Sequence, residues 1–174
     1  MFEVLGIIFL LAVLILWFPY IKSSQKFGAP FVPTETGLVE RVMELGKVKK
    51  GDVFYELGSG DGRMIIAAAL RGAKAYGVEI DRLRVWYSRA WLWFLRLKNA
   101  QIIKKDFFKT DLSMADIVFL FLLPETMEKI KPKLKKELKP GARIVSYGFT
   151  FKDWEPVKID SHKGLYGFLY LYKK

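Results

Sequence analysis

Apolar and polar positions change period several times along this chain, and each change is marked by glycine, proline or charge. Val4–Ile21 is an uncharged run of Leu, Ile, Val and Phe, followed directly by Lys22 and Lys26. Ser23–Pro33 carries Gly28, Pro30 and Pro33 and reads as a linker. Thr34 or Thr36 is placed to cap a helix running to about Gly46, with Leu38, Val39, Val42 and Leu45 on one face. After a turn at Lys47–Asp52, short apolar runs alternate with helical patterns. The pattern predicts strand Val53–Leu57, helix Arg63–Leu70, strand Ala75–Glu79, helix Arg82–Leu97 and strand Gln101–Lys105. Asp116–Leu122 is apolar throughout after its first residue, as in a strand buried on both faces. Helix Pro124–Leu138 starts on a proline and stops at Lys139-Pro140-Gly141. Strand Ala142–Gly148 follows, and Val157–Asp160 and Tyr166–Tyr172 form an antiparallel hairpin around a turn at Ser161–Gly164. The alternation of strands and helices predicts an α/β fold, a mostly parallel sheet with helices on both faces and a closing hairpin.

The first run decides the domain plan. Eighteen residues as a helix span ~27 Å, near the thickness of a bilayer's hydrocarbon. Trp17, Phe18 and Tyr20 stand at its end, where interfacial aromatics gather. A signal peptide would need a basic start and a small-residue cleavage site, and this chain begins Met-Phe-Glu. A core helix is rarely apolar all round at this length. The expected plan is a transmembrane anchor at residues 1–22, a linker at 23–33 and one α/β domain at 34–174. The positive-inside rule puts Lys22, Lys26 and the domain on the cytoplasmic side of a single-pass membrane protein.

Charge and composition narrow the chemistry. All 29 Lys and Arg residues lie after Ile21, and the formal net charge is +11. Such a surface favours anionic lipid, nucleic acid or acidic protein, although a solubilising excess of lysine would look the same. Cysteine is absent and His162 is the single histidine. Thiolate and polyhistidine metal sites are therefore excluded, as is a paired-histidine mechanism, and no metal is expected.

The segment Val53–Arg63, VFYELGSGDGR, carries the most specific signal. An apolar strand ends in Glu56, and Gly58, Gly60 and Gly62 alternate before a helix. Open α/β folds build ligand crevices at such strand ends. The dinucleotide spacing G-x-G-x-x-G fails because Arg63 occupies the third glycine position. Glu56 and Asp61 would repel a pyrophosphate and attract a cation, which points to S-adenosylmethionine with its ammonium and sulfonium. Glu79, about 20 residues further on, ends the next strand, where an acid can bridge ribose hydroxyls; a nicotinamide site would also use it. Asp106, followed by Phe107 and Phe108, ends the third strand, where an acid can accept from an adenine amino group and an aromatic can pack on the ring.

These residues carry a resemblance. GDVFYELGSGDGR, AYGVEID, IIKKDFF and LKPGARIVS together resemble class I, seven-stranded Rossmann-like S-adenosylmethionine-dependent methyltransferases, from Phe31 to the C-terminus. Phe31–Thr34 (FVPT), Phe119–Glu125 (FLFLLPE) and Lys131–Ser146 are similar to the small protein-lysine methyltransferases related to the ATP synthase c-subunit lysine methyltransferase. The resemblance implies that Glu56, Gly58 and Gly60, with Ser59, Asp61 and Gly62 in the same loop, surround the methionine part of the cofactor. It implies Glu79 and Ile80 at the ribose, Asp106 and Phe107 at the adenine, and Pro33 and Thr34 closing over the methionine end. It also implies a protein substrate with a lysine acceptor. Two departures matter. Leu122-Leu123-Pro124-Glu125 stands where base-methylating enzymes carry Asn/Asp-Pro-Pro-Tyr, which argues against DNA bases. Gly148–Pro156 is too short for the helix that usually follows the fifth strand.

Methyl transfer to lysine needs the neutral amine, whose ordinary pKa is about 10.4. No strong general base stands out, so positioning and desolvation are expected to carry the rate. Glu125 is the candidate for orienting the incoming ammonium, and it would equally serve as a first-turn helix acid. Tyr147 and Trp154 are candidates to wall the pocket by cation–π contact, with ordinary packing as the alternative. Arg82–Lys98, RLRVWYSRAWLWFLRLK, sets aromatics and arginines around more than one helix face. This suits a membrane interface beside the anchor; a nucleic-acid surface and a core helix with scattered exposed aromatics are the alternatives. The remaining functional alternatives are methylation of RNA or a small molecule, and a catalytically silent membrane-tethered module that retains the cofactor pocket.

Overall fold

The sheet is assembled in the order β3-β2-β1-β4-β5-β7-β6. The computed structural model describes Val32 and residues 34–174, so the expected anchor at 1–22, most of the expected linker and Pro33 lie outside the described residues. The strands are β1 Val53–Leu57, β2 Lys74–Glu79, β3 Ala100–Lys104, β4 Ile117–Leu120, β5 Arg143–Tyr147, β6 Lys158–Gly164 and β7 Gly167–Lys173. The first five pair in parallel; β7 runs antiparallel to β5, and β6 antiparallel to β7. The helices are α1 Thr36–Leu45, α2 Arg63–Leu70, α3 Arg82–Phe94 and α4 Pro124–Glu137. The seven-stranded α/β sheet with a terminal hairpin is therefore as the pattern predicted. Among the described residues no helix is long and apolar enough to cross a membrane.

Alternation along the strands makes two cores. Phe54, Ala75, Ile102, Phe119 and Val145 face one side with Val42 of α1, Ile65 and Ala68 of α2, and Val85 and Leu92 of α3. Leu57, Val78, Val118, Leu120 and Ile144 face the other with Met127, Ile130 and Leu134 of α4. Strand β4 is buried along its whole length, which accounts for its unbroken apolar run. Burial on this scale, at roughly 25 cal/mol per Å² of apolar surface, is the main term holding the layers together. The second face has fewer helices. Phe151, Trp154 and Tyr172 fill it, with ring centroids 5.0 to 5.7 Å apart, where the sequence left no room for a helix.

Several boundaries differ from the sequence reading. The cap of α1 is Glu35, with no side-chain capping bond. The expected cap at Thr34 or Thr36 is therefore one residue off, and the Glu35 carboxylate is used elsewhere. Helix α3 stops at Phe94 because Arg96 turns into the left-handed region (φ 54°) and Leu97 N–H closes back on Leu92 O at 3.0 Å. Strand β4 spans only Ile117–Leu120, and β3 begins one residue early. The hairpin turn is at Leu165-Tyr166 rather than Ser161–Gly164: Gly164 pairs with Gly167, which supplies φ 121°. An irregularity between Asp160 and Gly164 lengthens β6 beyond the expected Val157–Asp160. Arg41 of α1 grips Asp160 of β6 through two nitrogens, with a closest approach of 2.6 Å.

Candidate active site

The carboxyl ends of β1 and β2 meet through the glycine loop. Gly58 and Ser59 both donate from N–H to Val78 O, at 2.8 and 3.0 Å, which pulls the loop across the end of β2. Gly58, Gly60 and Gly62 all have positive φ (85°, 51° and 82°), and Gly62 is the cap from which α2 starts. A Cβ on Gly62 would come within 3.1 Å of Ser88 Cβ on α3. The Ser88 hydroxyl lies 2.8 Å from Gly60 O and 2.7 Å from Arg84 O, so α3 holds the loop from below.

Glu79 is buried at the end of β2, and the backbone converges on it. Gly60 N–H donates to Oε2 at 2.9 Å, and Ile80 and Asp81 N–H both donate to Oε1 at 2.9 Å. A carboxylate has about four acceptor positions, so Glu79 keeps capacity for a hydroxyl donor. Asp81 then caps α3, accepting from Leu83 and Arg84 N–H at 2.9 and 3.0 Å. Ile80 stays 42% exposed at the mouth of this turn.

Glu56 behaves differently. It is 7% exposed, and its Oε2 is buried with no hydrogen-bond partner among the described residues; Ser59 Oγ is in the same state. Burial, with Asp61 and Glu79 nearby, pushes the Glu56 carboxyl well above the usual carboxylate range, and Arg63 works weakly in the other direction. An orphaned buried carboxylate is costly unless a cation completes it. Asp61 is not a second free acid, as the sequence suggested. The Arg63 guanidinium holds it, with Nε 3.0 Å from each carboxylate oxygen, and also reaches the Thr34 carbonyl. Arg63 thereby ties buried Thr34 to the glycine loop, while Pro33 lies outside the described residues. The sequence had noted Arg63 only as the residue that breaks a glycine pattern.

Gly77 was also missed. It pairs with Glu56 in the β1–β2 register, and a Cβ there would stand 2.6 Å from Ser59 Oγ and 2.7 Å from Ile102 Cδ1. A lone glycine inside an apolar strand is the signal that could have found it. Asp106 sits at the end of β3 and caps a single turn, Phe107–Lys109, by accepting from Phe108 N–H at 2.9 Å. The adjoining Lys105 N–H bonds Glu79 O at 3.1 Å, so the adenine and ribose candidates lie on neighbouring strand ends. Phe107 is half-buried against the second core, its ring 4.7 Å from that of Phe108.

Beyond β4 and β5 the surface is aromatic. Phe121, Tyr147 and Tyr166 cluster with centroids 4.7 to 6.3 Å apart. The buried Tyr147 hydroxyl accepts from Tyr166 N–H at 2.9 Å and lies 3.4 Å from Glu35 Oε1, which also accepts from Leu165 N–H at 2.8 Å. Glu35, unremarked in the sequence, thus pins the hairpin turn to the start of α1. Trp154 does not share a pocket with Tyr147. It packs in the second core, stacked on Phe151 with Lys135 Nζ 5.1 Å from its ring centre, whereas Tyr147 belongs to the first. Glu125 is exposed in the first turn of α4, just after β4.

The donor set suits S-adenosylmethionine: an uncompensated buried carboxylate at Glu56 for an ammonium, acceptor capacity at Glu79 for ribose, and a glycine loop that leaves room between them. Comparison with known proteins agrees. An RNA methyltransferase from Salinibacter ruber, solved in complex with S-adenosyl-L-homocysteine, superposes with a TM-score of 0.77 at 36% identity, over 82% of this chain and 93% of that one. A protein-lysine N-methyltransferase of Saccharolobus islandicus (strain REY15A) is 44% identical over 137 residues, covering 75% of this chain and 83% of the relative. The ATP synthase c-subunit lysine N-methyltransferase of Homo sapiens is 34% identical over 140 residues, covering 79% of this chain but only 60% of its own length. S-Adenosylmethionine is the cofactor of this chain. The family model described as the ANTKMT methyltransferase domain matches residues 56–158, which include the glycine loop, Glu79, Asp106 and Glu125, and the chain belongs to that family of methyltransferases.

Proposed function

We propose that this chain N-methylates lysine side chains of a protein. The reading rests on the orphaned Glu56 carboxylate over the glycine loop, joined to the likeness to the lysine N-methyltransferases of Saccharolobus islandicus and Homo sapiens. When bound, S-adenosylmethionine supplies an electrophilic methyl group on a sulfonium. Glu56 holds the methionine ammonium, Glu79 the ribose hydroxyls, and Asp106 with Phe107 the adenine. Thr34, drawn to the loop by Arg63, shields the methionine end from water. Phe121 and Tyr166 line the approach beyond β4 and β5, where desolvation favours the neutral amine over the ammonium. Glu125 orients the lysine head as it arrives. No side chain here acts as a strong base, so the proton leaves to water and positioning carries most of the rate.

The test is transfer of tritiated methyl from S-adenosylmethionine to a membrane extract. Label that protease removes and nuclease leaves, recovered as methyl-lysine, is the expected result. Nuclease-sensitive, protease-resistant label would overturn the lysine reading in favour of RNA, the substrate class for which the Salinibacter ruber enzyme is named. Cofactor binding in calorimetry without any transfer would leave a silent binding module.

The second part of the proposal is location. Val4–Ile21 spans a membrane once, with Lys22, Lys26 and residues 34–174 on the cytoplasmic side. The full chain is expected to sediment with membranes and to resist alkaline extraction. Recovery of the intact chain in the soluble fraction would refute it.

A further inference from the structure

Helix α3 has two apolar faces. One, with Val85 and Leu92, packs on the sheet. The other points outward: Leu83 is 45% exposed, Trp86 69%, Trp93 81% and Phe94 68%. Leu83, Trp86 and Trp93, three and seven residues apart, fall on one stripe of the helix with Phe94 beside it, so the helix is patterned for a second partner. Large aromatics exposed together are unusual on a monomer's surface.

Along α3 and into β3 the charges carried by the chain are of one sign. No acid occurs between Asp81 and Asp106, a stretch that holds five arginines and lysines in Arg82–Lys98 and two more at Lys104 and Lys105. Trp93 also borders a groove of about 500 Å³ between α3 and the open edge strand β3, lined by Arg89, Arg96 and Lys98. Arg89 spends its guanidinium on Ile102 O, at 2.7 and 3.0 Å, while Arg96 and Lys98 are exposed beside the aromatics. A second copy of the chain would set this cationic rim against itself in a symmetric dimer. A bilayer with anionic headgroups answers both features at once. Tryptophan, leucine and phenylalanine settle at the headgroup–acyl boundary, and arginine and lysine meet the phosphates.

We infer that the outer face of α3 docks on an anionic lipid surface, with Leu83, Trp86, Trp93 and Phe94 entering the interface and Arg96 and Lys98 taking lipid phosphates. This goes beyond a single anchoring segment, because it fixes the orientation of the catalytic domain on the bilayer. It does not depend on which acceptor is methylated.

The test uses the full chain carrying Trp17→Phe, reconstituted with vesicles whose acyl chains are brominated to quench tryptophan. With phosphatidylglycerol present, the emission is expected to fall strongly. Most of that fall should disappear in Trp86→Phe/Trp93→Phe, and also in Arg96→Glu/Lys98→Glu. Transfer to a soluble lysine peptide and binding of S-adenosylmethionine should be unchanged in both variants, which separates this result from any failure of the lysine reading. Equal quenching in phosphatidylcholine alone, or none in either, overturns the inference. So does lipid-independent cross-linking between two copies through Trp93→Cys, or a fall in kcat/KM for the soluble peptide in the charge-reversed variant. Displacement of the protein from vesicles by RNA at equal charge would assign the face to nucleic acid instead.

Discussion

The carboxyl ends of β1 and β2 and those of β4 and β5 lie in one sheet, but they handle polar groups in opposite ways. At β1–β2, Glu56 Oε2 and Ser59 Oγ are buried without partners among the described residues, and Glu79 is held open by three backbone N–H groups. At β4–β5 the Tyr147 hydroxyl and the Glu35 carboxylate are joined to each other and to the hairpin turn. The first region stores unsatisfied polarity for a small cationic ligand to complete. The second is already complete and presents aromatic surface. A cofactor of fixed chemistry suits the first arrangement, and a flexible side chain that must shed its proton suits the second.

Glu56→Gln tests the first half of this contrast most severely. The substitution keeps the shape and removes the charge that the cofactor's ammonium would meet. Truncating one partner of a buried charge pair costs about 2–5 kcal/mol, so affinity for S-adenosylmethionine should fall by roughly 30-fold or more in calorimetry. The cofactor-free protein should respond the other way. Its Glu56 carboxyl holds a proton to higher pH than in the unfolded chain. Stability is therefore present in full below the ordinary carboxylate pKa and is lost as pH rises through the raised folded value. Denaturant titrations of the cofactor-free protein should show this decline, and Glu56→Gln should flatten it. Cofactor affinity should rise with pH over the same window in the wild type alone. If Glu56→Gln bound the cofactor normally, the orphaned carboxylate would need another explanation.

Gly77→Ala attacks the same region through its backbone. The new methyl would fall 2.6 Å from Ser59 Oγ and 2.7 Å from Ile102 Cδ1. The Ile102 side chain is fully buried and has little room to swing, and Ser59 Cβ also lies 2.7 Å away, so the Ser59 turn must move. Overpacking of this kind costs about 1–3 kcal/mol. Thermal unfolding should register it, and cofactor affinity should fall by about tenfold. An unchanged affinity would show that the loop is less tightly registered to β2 than the geometry indicates.

These two regions also differ in how far the sequence disclosed them. The cofactor side was legible because its residues are close in sequence: Glu56 to Gly62 is one strand end and one turn, and Glu79 recurs at the spacing set by one helix and one strand. Even there, two contacts were hidden. Arg63 neutralises Asp61, and Gly77 opposes Glu56 only once β1 and β2 are in register. On the other side Glu35, Phe121, Tyr147 and Tyr166 come from four separate segments. No local spacing announces a cluster assembled by topology, and Trp154 looked equivalent to Tyr147 until the sheet placed them in different cores. The hairpin turn was misplaced for a related reason. Ser161–Gly164 has turn-like composition, but Glu35 and Tyr147 bind the backbone at Leu165 and Tyr166 and fix the turn there.

Glu125→Ala probes the second region with an intermediate effect. The carboxylate is exposed in the first turn of α4, so its loss should leave folding and cofactor affinity alone. Turnover on a lysine peptide should fall by about tenfold, the equivalent of ~1.4 kcal/mol in the barrier. Unchanged turnover would remove Glu125 from the proposed acceptor site and leave it as a first-turn charge facing the helix dipole.

Tyr147→Phe carries the smallest expected effect and the sharpest distinction. The ring keeps its place between Phe121 and Tyr166, while the Tyr166 N–H loses its acceptor and Glu35 loses one contact. Losing a bond of this kind costs about 1 kcal/mol, which lowers Tm by about 2–4 °C in a domain of this size. The turn at Leu165-Tyr166 would still be held by Glu35 through Leu165 N–H at 2.8 Å, so the fold survives. A loosened turn should raise KM for a lysine peptide by a few-fold and leave S-adenosylmethionine affinity untouched, because no part of this link reaches the glycine loop. A matching loss of cofactor affinity would mean that Glu35, adjoining the Thr34 carbonyl gripped by Arg63, couples the two strand-end regions through the start of α1. The separation between a polar side at β1–β2 and an aromatic side at β4–β5 would then be one of composition, with the two acting as a unit.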